Sequence, residues 1–541
     1  MAVLALILVL ALPALASAGR PPVKLSPSQK RMLALAEARP TIKELHRQQP
    51  QLHSKPPSWD GKRWLVDYYG GGKLQGEVVI TRTYHVVGAW TGLQARASFT
   101  RGHIGGLLDS PWVIIVFSLL FLAPFVDPRR AFRLLHLDLL LLVSFGISYW
   151  CLRDGAVKAS IFLFYAVLLY LLGRMLWAGF RPATRPRRRL VPHAPTTLLV
   201  IGVLALTGAR IGLNIANHST FDIAYASVVG ADRIWHKQEL YTGSKNNFDT
   251  YGPLTYAAYV PLERIFPWKQ TWDYLPAAHA AAIAFDLLTL LGLFLLGRQL
   301  RAGPEGRRLG LALAWAWAAF PFTLYGLMES TNDGLIAMLL VYSLVMFFSP
   351  AGRGALIGAA AAAKFFPGAL LPLLAAGRGE RDRKRFLTCM AAGIGIFVFA
   401  IALYLPPDGG LRQFWDSTLG YQLSRSPDFS LWAIYSGLGW TKVVADVLGL
   451  GLALVVALVP RRRSLVQAAA LGAAVTIALE LPAGHWWYFY IVWFMPLLLV
   501  ALFAPYAQGN VAEPLDAGSL HEQIDLLGVA RAREEDQLVA P

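Results

Sequence analysis

The residues best suited to chemistry in this 541-residue chain fall beside apolar runs rather than within ordinary soluble sequence. Asp222 follows an apolar run that ends near Leu213, with Tyr225, Leu240-Tyr241 and Tyr251-Gly252-Pro253-Leu254-Thr255-Tyr256 behind it. A lone carboxylate at such an edge can accept the proton of a hydroxyl, whose own pKa lies far above 7; capping a helix or solvating a loop is the plainer role. Asn332-Asp333 opens another apolar run, and Lys364-Phe-Phe-Pro367 interrupts a third. Asn332 and Asp333 suit a substrate contact or a helix N-cap. Tyr421-Gln422-Leu-Ser-Arg425-Ser-Pro427 and His485-Trp486-Trp487 complete the set. Arg425 offers an anion a fixed, bidentate cation, a surface or headgroup contact being the plainer role, and Lys364 can reach such an anion or snorkel away. His485 can hydrogen-bond a substrate or cap the last run. Tyr241, Tyr251, Tyr256, Trp486 and Trp487 suit stacking against a ligand and an interfacial belt alike. Asp286 and Glu480 lie within or at the end of apolar runs, where carboxylates are functional by default; a plain interfacial position is the alternative for Glu480, at the end of its run.

The elements that must position these groups are membrane helices. Hydrophobic residues make up 55% of the chain and charged ones only 15%, well below the roughly 25% of soluble domains. The apolar residues come in long uninterrupted runs, and about 20 helical residues cross a ~30 Å hydrocarbon core. Eleven spans are expected: 112–126, 134–151, 157–178, 195–213, 275–297, 309–325, 333–348, 386–405, 441–459, 465–481 and 487–504. The apolar stretch 355–376, broken at Lys364 to Pro367, is expected to enter and return; an ordinary kinked span is the alternative. The net charge of +17 sits in short Arg-rich loops between spans, as the positive-inside bias requires, and does not indicate nucleic acid. Cys151 and Cys389 fall near opposite faces, so no disulfide framework is expected.

Residues 1–18 read as a signal peptide ending in Ala16-Ser17-Ala18, with an uncleaved anchor as the alternative. Residues 19–110 read as a small extracytoplasmic α+β domain: helices over 29–38 and 41–48, then three or four antiparallel strands. The order of its elements resembles small PepSY-like domains. Three further transmembrane helices fill 111–193, a catalytic core 194–505, and a polar cytoplasmic tail 506–541. With the N-terminal domain outside the plasma (inner) membrane, every Arg-rich loop and the C-terminus lie inside. The acids, amides and aromatics then gather outside.

An acidic residue just after a span, a Leu-Tyr and a Tyr-x-Pro-x-x-Tyr together resemble the first outer loop of GT-C membrane glycosyltransferases. The nearest branch is glycosyltransferase family 87, the polyprenol-phosphate-mannose-dependent mannosyltransferases. Asn332-Asp333, Lys364-x-x-Pro367, the segment Tyr421 to Pro427 and Ser430-Leu431-Trp432 extend the resemblance over about 195–505. Asp428, inserted between Pro427 and Phe429, departs from it, as do the three extra spans and the exported domain.

The resemblance implies a GT-C-like fold of about eleven transmembrane helices and one re-entrant broken helix. It also implies transfer of a hexose, mannose by analogy, from a polyprenyl-phosphate sugar to a lipid-linked or exported glycan. Asp222 would be the general base. Arg425, Lys364, Tyr225, Tyr241, Tyr251, Asn332, Asp333, Gln422 and His485 would bind donor or acceptor. No cofactor beyond the donor lipid and no metal is expected. Besides the donor and the acceptor, the expected partners are membrane lipids. A multi-pass transporter or flippase is the competing class, marked by internal repeats and ionisable groups at mid-membrane; no repeat is apparent.

Overall fold

The computed structural model describes residues 25–59, 63–71, 73–96, 110–130, 132–181, 187–191, 194–217, 221–242, 249–271, 275–376, 383–425, 427–460 and 463–507. The expected signal peptide and cytoplasmic tail lie outside these residues, except for Tyr506 and Ala507. The chain divides into two compact units, 1–104 and 105–541.

In the first unit, α1 (Pro27–Glu37) starts at a capping box closed by Ser26 and Gln29, and α2 (Pro40–Gln48) follows after one turn. Their apolar residues Met32, Ala36, Ile42 and Leu45 pack on Val66, Tyr68, Val78 and Ile80. These come from one face of β3 (Arg63–Gly70) and β4 (Lys73–Thr81). The antiparallel sheet runs β1 (His53–Ser54), β3, β4, β5 (Val86–Thr91), and β2 (Ser58–Trp59) also pairs with β3. The alternation Trp64, Val66, Tyr68 is what sends one face to the helices.

The second unit is a helical membrane bundle. All eleven expected spans are occupied by helices, but only six have the length and hydropathy of a full crossing. These are α4 (Leu134–Arg153), α5 (Val157–Phe180), α6 (Thr196–Ala216), α9 (Pro276–Leu300), α15 (Arg383–Leu403) and α18 (Gly439–Leu458). A seventh is the bent pair α10 (Gly303–Ala319) and α11 (Pro321–Met328), which meet at 62°. The other four are shorter: α3 (Pro111–Leu122), α12 (Asp333–Val345), α19 (Leu465–Glu480) and α20 (Ile491–Phe503). At 1.5 Å per residue these reach only about 18–24 Å, so their polar ends sit deeper than a full span would place them.

The segment broken at Lys364 enters and returns. Its first arm is α13 (Pro350–Ala363); a 3-10 turn (Phe366–Leu370) and α14 (Leu371–Ala375) form the second. Arg353, at the start of α13, donates to Phe347 O and also to Ala375 O at the far end of α14 (3.4 Å). Both ends of the segment therefore lie together. Gly354 and Gly358 press against the backbone of Cys389 and Gly393 on α15, so α13 and α15 run parallel in close contact.

Arg301, Arg308 and Arg463 gather with Arg353 at this end and satisfy backbone carbonyls. Arg463 donates to Leu373 O, Arg301 to Ala504 O and Tyr506 O, and Arg308 to Val191 O and Ala194 O. Asp333, which opens α12, and Lys364, which ends α13, lie at the opposite end.

Two of the ion pairs buried within the bundle brace its helices away from the break. Arg174 on α5 meets Asp138 on α4 (3.0 Å). Arg210 on α6 holds Asp286 on α9 through two nitrogens (3.1 and 2.6 Å), and Trp317 Nε1 also donates to Asp286 (2.8 Å). Arg210 reaches on to Ala318 O and Thr323 O, carbonyls beside the bend that Pro321 creates. Asp286, expected to be functional, is thus committed to holding the α10–α11 bend. Removing one member of a buried pair strands its partner at a cost of about 3–5 kcal/mol. Arg210→Met is expected to lower the thermal denaturation temperature in detergent sharply, and Arg210→Met with Asp286→Leu to recover part of the loss.

Candidate active site

The region between α6 and α9, expected as a loop, contains two helices. Asp222 is the first residue of α7 (Asp222–Trp235), and Pro253 opens α8 (Pro253–Ile265). Between them the chain is pinned by Asp249, which accepts from Arg233 (2.8 and 2.9 Å) and from Tyr241 N (3.0 Å). Tyr241 adopts φ 60°, donates its hydroxyl to Tyr251 O (2.8 Å), and packs with Tyr256 and with Phe414 on α16 (Gly410–Ser417). Tyr251 N in turn donates to the Tyr256 hydroxyl (3.0 Å). Two buried tyrosines therefore fix the backbone of a third.

That third tyrosine is delivered to the broken helix. Gly252 N and Thr255 Oγ1 both donate to Ala363 O, the last carbonyl of α13 (3.0 and 2.8 Å). A Cβ on Gly252 would collide with Ala362 O, so only glycine permits this approach. Gly252→Ala is expected to displace the break and cut activity at least tenfold while the bundle stays folded. Activity assays beside a melting curve check this; unchanged activity would show that the contact does not position the site.

At the break, Lys364 is buried and forms an ion pair with Asp333, the first residue of α12. Its ammonium also lies 5.3 Å from the Tyr251 ring centre and 5.1 Å from that of Trp493. Trp493 Nε1 donates to Asp333 Oδ1 (2.7 Å), and its ring stacks between Phe366 and Tyr490. Lys364 accordingly does not snorkel. Asn332 and Asp333 are not side-chain caps: the Asn332 amide donates to Ser227 on α7 (3.0 Å).

Asp222 is exposed, and its Oδ1 accepts from Ile223 N (2.9 Å). It lies within electrostatic range of Lys364, Tyr251 and Tyr490. Tyr490 also senses Asp333, Glu480 and Arg425. Arg425 is exposed at the end of α17 (Leu419–Ser424), 6.0 Å from the Tyr421 ring centre, and acts on His485. The two segments behind Arg425 and His485 are stitched together: Phe429 N donates to Gly484 O (3.3 Å) and Trp486 N to Phe429 O (3.2 Å).

The structure thus brings Lys364, Asp333, Asn332 and Tyr251 into one cluster and sets Asp222, Arg425 and His485 around it. Three expected members stand differently. Tyr241 is fully buried and braces the loop, so it presents no face to a sugar. Tyr225 is half-buried, edge-on to Trp268 (5.8 Å). Gln422 lies on the exposed α17 beside Arg425. Tyr256, Trp486 and Trp487 are buried and serve neither as a stacking platform nor as an interfacial belt. Sequence reasoning missed Trp493 and Tyr490, which sit in an apolar run where nothing distinguishes a hydrogen-bonding indole from a lipid-facing one. His218 and Ser426 lie outside the described residues.

Burial, assisted by Arg425, lowers the His485 pKa from 6.5 to about 3. Between those values the unfolded chain binds a proton that the folded imidazole refuses, so stability falls as pH drops from about 6.5 towards 3. A series of melting curves is expected to show that acid limb, weakened in His485→Asn.

Among the described residues no group of three or more His, Cys, Asp or Glu is arranged to hold a metal. What the cluster offers is one exposed carboxylate, one exposed guanidinium, and a buried Lys–Asp pair between aromatic rings. That suits proton removal from a hydroxyl beside an anionic leaving group. Residues 250–505 match the model of glycosyltransferase family 87. The match begins after Asp222, Tyr225 and Tyr241 and takes in the rest of the cluster. No curated protein matches the chain.

Proposed function

We propose that the chain is a membrane glycosyltransferase of family 87, whose model matches residues 250–505, and that it transfers a hexose, mannose by preference, from a polyprenyl-phosphate sugar. The acceptor is an exported or lipid-linked glycan on the outer face, with the acid- and aromatic-rich end of the bundle outside and the arginine-rich end in the cytoplasm of the plasma membrane. The observation that carries this reading is the convergence of Asp222, Arg425 and the Lys364–Asp333 pair at that end.

The reaction is a single displacement. The acceptor oxygen bonds to the anomeric carbon as the bond from that carbon to the phosphate oxygen breaks. The acceptor proton passes to Asp222, and polyprenyl phosphate leaves with the electron pair. A phosphate is a good leaving group, so no general acid is required. Arg425 takes the phosphate charge, its planar fork matching two oxygens. Tyr251, held from both sides, forms a wall of the sugar site. Lys364 already supplies the positive charge that Asp333 requires, so transfer needs no divalent cation.

The test is transfer of labelled mannose from polyprenyl-phosphate-mannose by the purified chain in nanodiscs, with and without EDTA. Transfer that survives EDTA is expected. Absence of transfer from any polyprenyl-phosphate sugar, together with substrate flux in proteoliposomes, would favour a transporter.

A further inference from the structure

Two buried carboxylates at the site share an unusual arrangement. Asp333 Oδ1 accepts from the Trp493 indole (2.7 Å), and Glu480 Oε2 accepts from the Trp486 indole (3.1 Å). In each, the second oxygen is buried and has no hydrogen-bond partner among the described residues: Asp333 Oδ2 and Glu480 Oε1. Asn332 Oδ1, next in the chain to Asp333, is bare in the same way, its amide nitrogen being committed to Ser227. The three residues are 0%, 3% and 1% exposed for Asp333, Glu480 and Asn332. Asp333 and Glu480 lie within electrostatic range of each other, and both act on Tyr490.

An unsatisfied buried polar atom costs about 1–3 kcal/mol, and three in one place need a reason. Asn332 Oδ1 and an ionised Asp333 Oδ2 only accept, so their missing partner is a donor, and a hydroxyl, which both donates and accepts, also satisfies Glu480 Oε1 in either protonation state. A phosphodiester carries only acceptors and so cannot satisfy Asp333 Oδ2 or Asn332 Oδ1, which excludes the leaving group as the occupant. The indoles fix one oxygen of each carboxylate and so aim the other. A sugar ring presents several hydroxyl donors on a rigid frame and matches an array of aimed acceptors.

We propose that Asp333, Asn332 and Glu480 form the acceptor set that binds the hydroxyls of the transferred sugar and so determines which hexose is accepted. This rests on the reading of the donor as a polyprenyl-phosphate hexose. A site that binds specific hydroxyls discriminates strongly against analogues lacking them, because its own groups are then left unpaired.

The test is equilibrium binding of labelled polyprenyl-phosphate-mannose to the full chain in nanodiscs. The competitors are unlabelled polyprenyl-phosphate-mannose, its monodeoxy forms, and bare polyprenyl phosphate. For the wild type, bare polyprenyl phosphate is expected to compete at least tenfold more weakly than the mannosylated lipid. Glu480→Gln should erase most of that difference while leaving the bare lipid's affinity unchanged, which also reports an intact fold. Its penalty should vanish for one particular monodeoxy donor, whose missing hydroxyl is the one Glu480 accepts from. Asn332→Ala is the second variant should Glu480→Gln fail to bind the bare lipid, and should pick out a different hydroxyl. Equal competition by the bare lipid, or a penalty equal for every competitor, overturns the proposal. Sugar-dependent binding without any transfer would instead reject the transfer reading and leave the hydroxyl set standing.

Discussion

Asp222→Asn is expected to reduce glycosyl transfer by about 10²–10⁴-fold, the usual contribution of a positioned general base. The loss should appear in kcat and kcat/KM alike, because a proton acceptor for the acceptor hydroxyl acts in the transition state and not in binding. Binding of the donor lipid should change little. Asparagine keeps the size of the side chain and an oxygen able to accept from Ile223 N as Asp222 Oδ1 does, so the start of α7 is preserved. The other carboxylates at the site are poorly placed for the task. Asp333 is committed to Lys364 and Trp493, and Glu480 is buried against Trp486. Asp222 alone combines exposure to an incoming acceptor with proximity to the Lys364 break. Wild-type activity in the variant would remove Asp222 as the base.

Much of this organisation is legible in the sequence because the membrane imposes coarse rules. Uninterrupted apolar runs locate the helices, and arginine placement sorts their ends. The Lys364-Phe-Phe-Pro367 interruption, taken with the charge bias, is enough to suggest a segment that enters and returns, as Arg353 shows by reaching Ala375 O. Span lengths are less legible. α12 begins at Asp333 as expected but stops at Val345 rather than at residue 348, α19 stops one residue early at Glu480, and α20 begins at Ile491 after a 3-10 turn over Tyr488–Tyr490.

The motif Tyr251 to Tyr256 is visible as a motif, but the work it does is not. Gly252 and Thr255 recognise the end of a helix more than a hundred residues away, and no local pattern encodes that partner. The same holds for Asp286. An intramembrane carboxylate draws attention in a sequence, yet its meaning depends on Arg210, which lies on another helix and pairs with it completely. The aromatics divide for a related reason. Residue type gives Tyr241, Tyr251, Trp486 and Trp487 equal standing, whereas tertiary packing buries three of them as supports and leaves only Tyr251 partly open at the site.

Lys364→Met should have the second large effect, acting on stability and activity together. Methionine matches the length of the lysine stem but leaves Asp333 as a buried charge with only the Trp493 indole for compensation. Breaking a buried pair from one side costs about 3–5 kcal/mol, and transfer is expected to fall at least a hundredfold because the break that receives Tyr251 and faces Asp222 loses its anchor. The pair and the reaction can be separated by a second substitution. Lys364→Met combined with Asp333→Leu removes both charges, and exchanging a buried ion pair for apolar side chains is often neutral or stabilising. The double variant should therefore regain most of the lost melting temperature while remaining inactive. Recovery of activity along with stability would reduce the pair to a structural brace. Loss of activity with the fold restored assigns it to the chemistry, with Lys364 supplying at the end of a broken helix the fixed positive charge that the buried Asp333 requires.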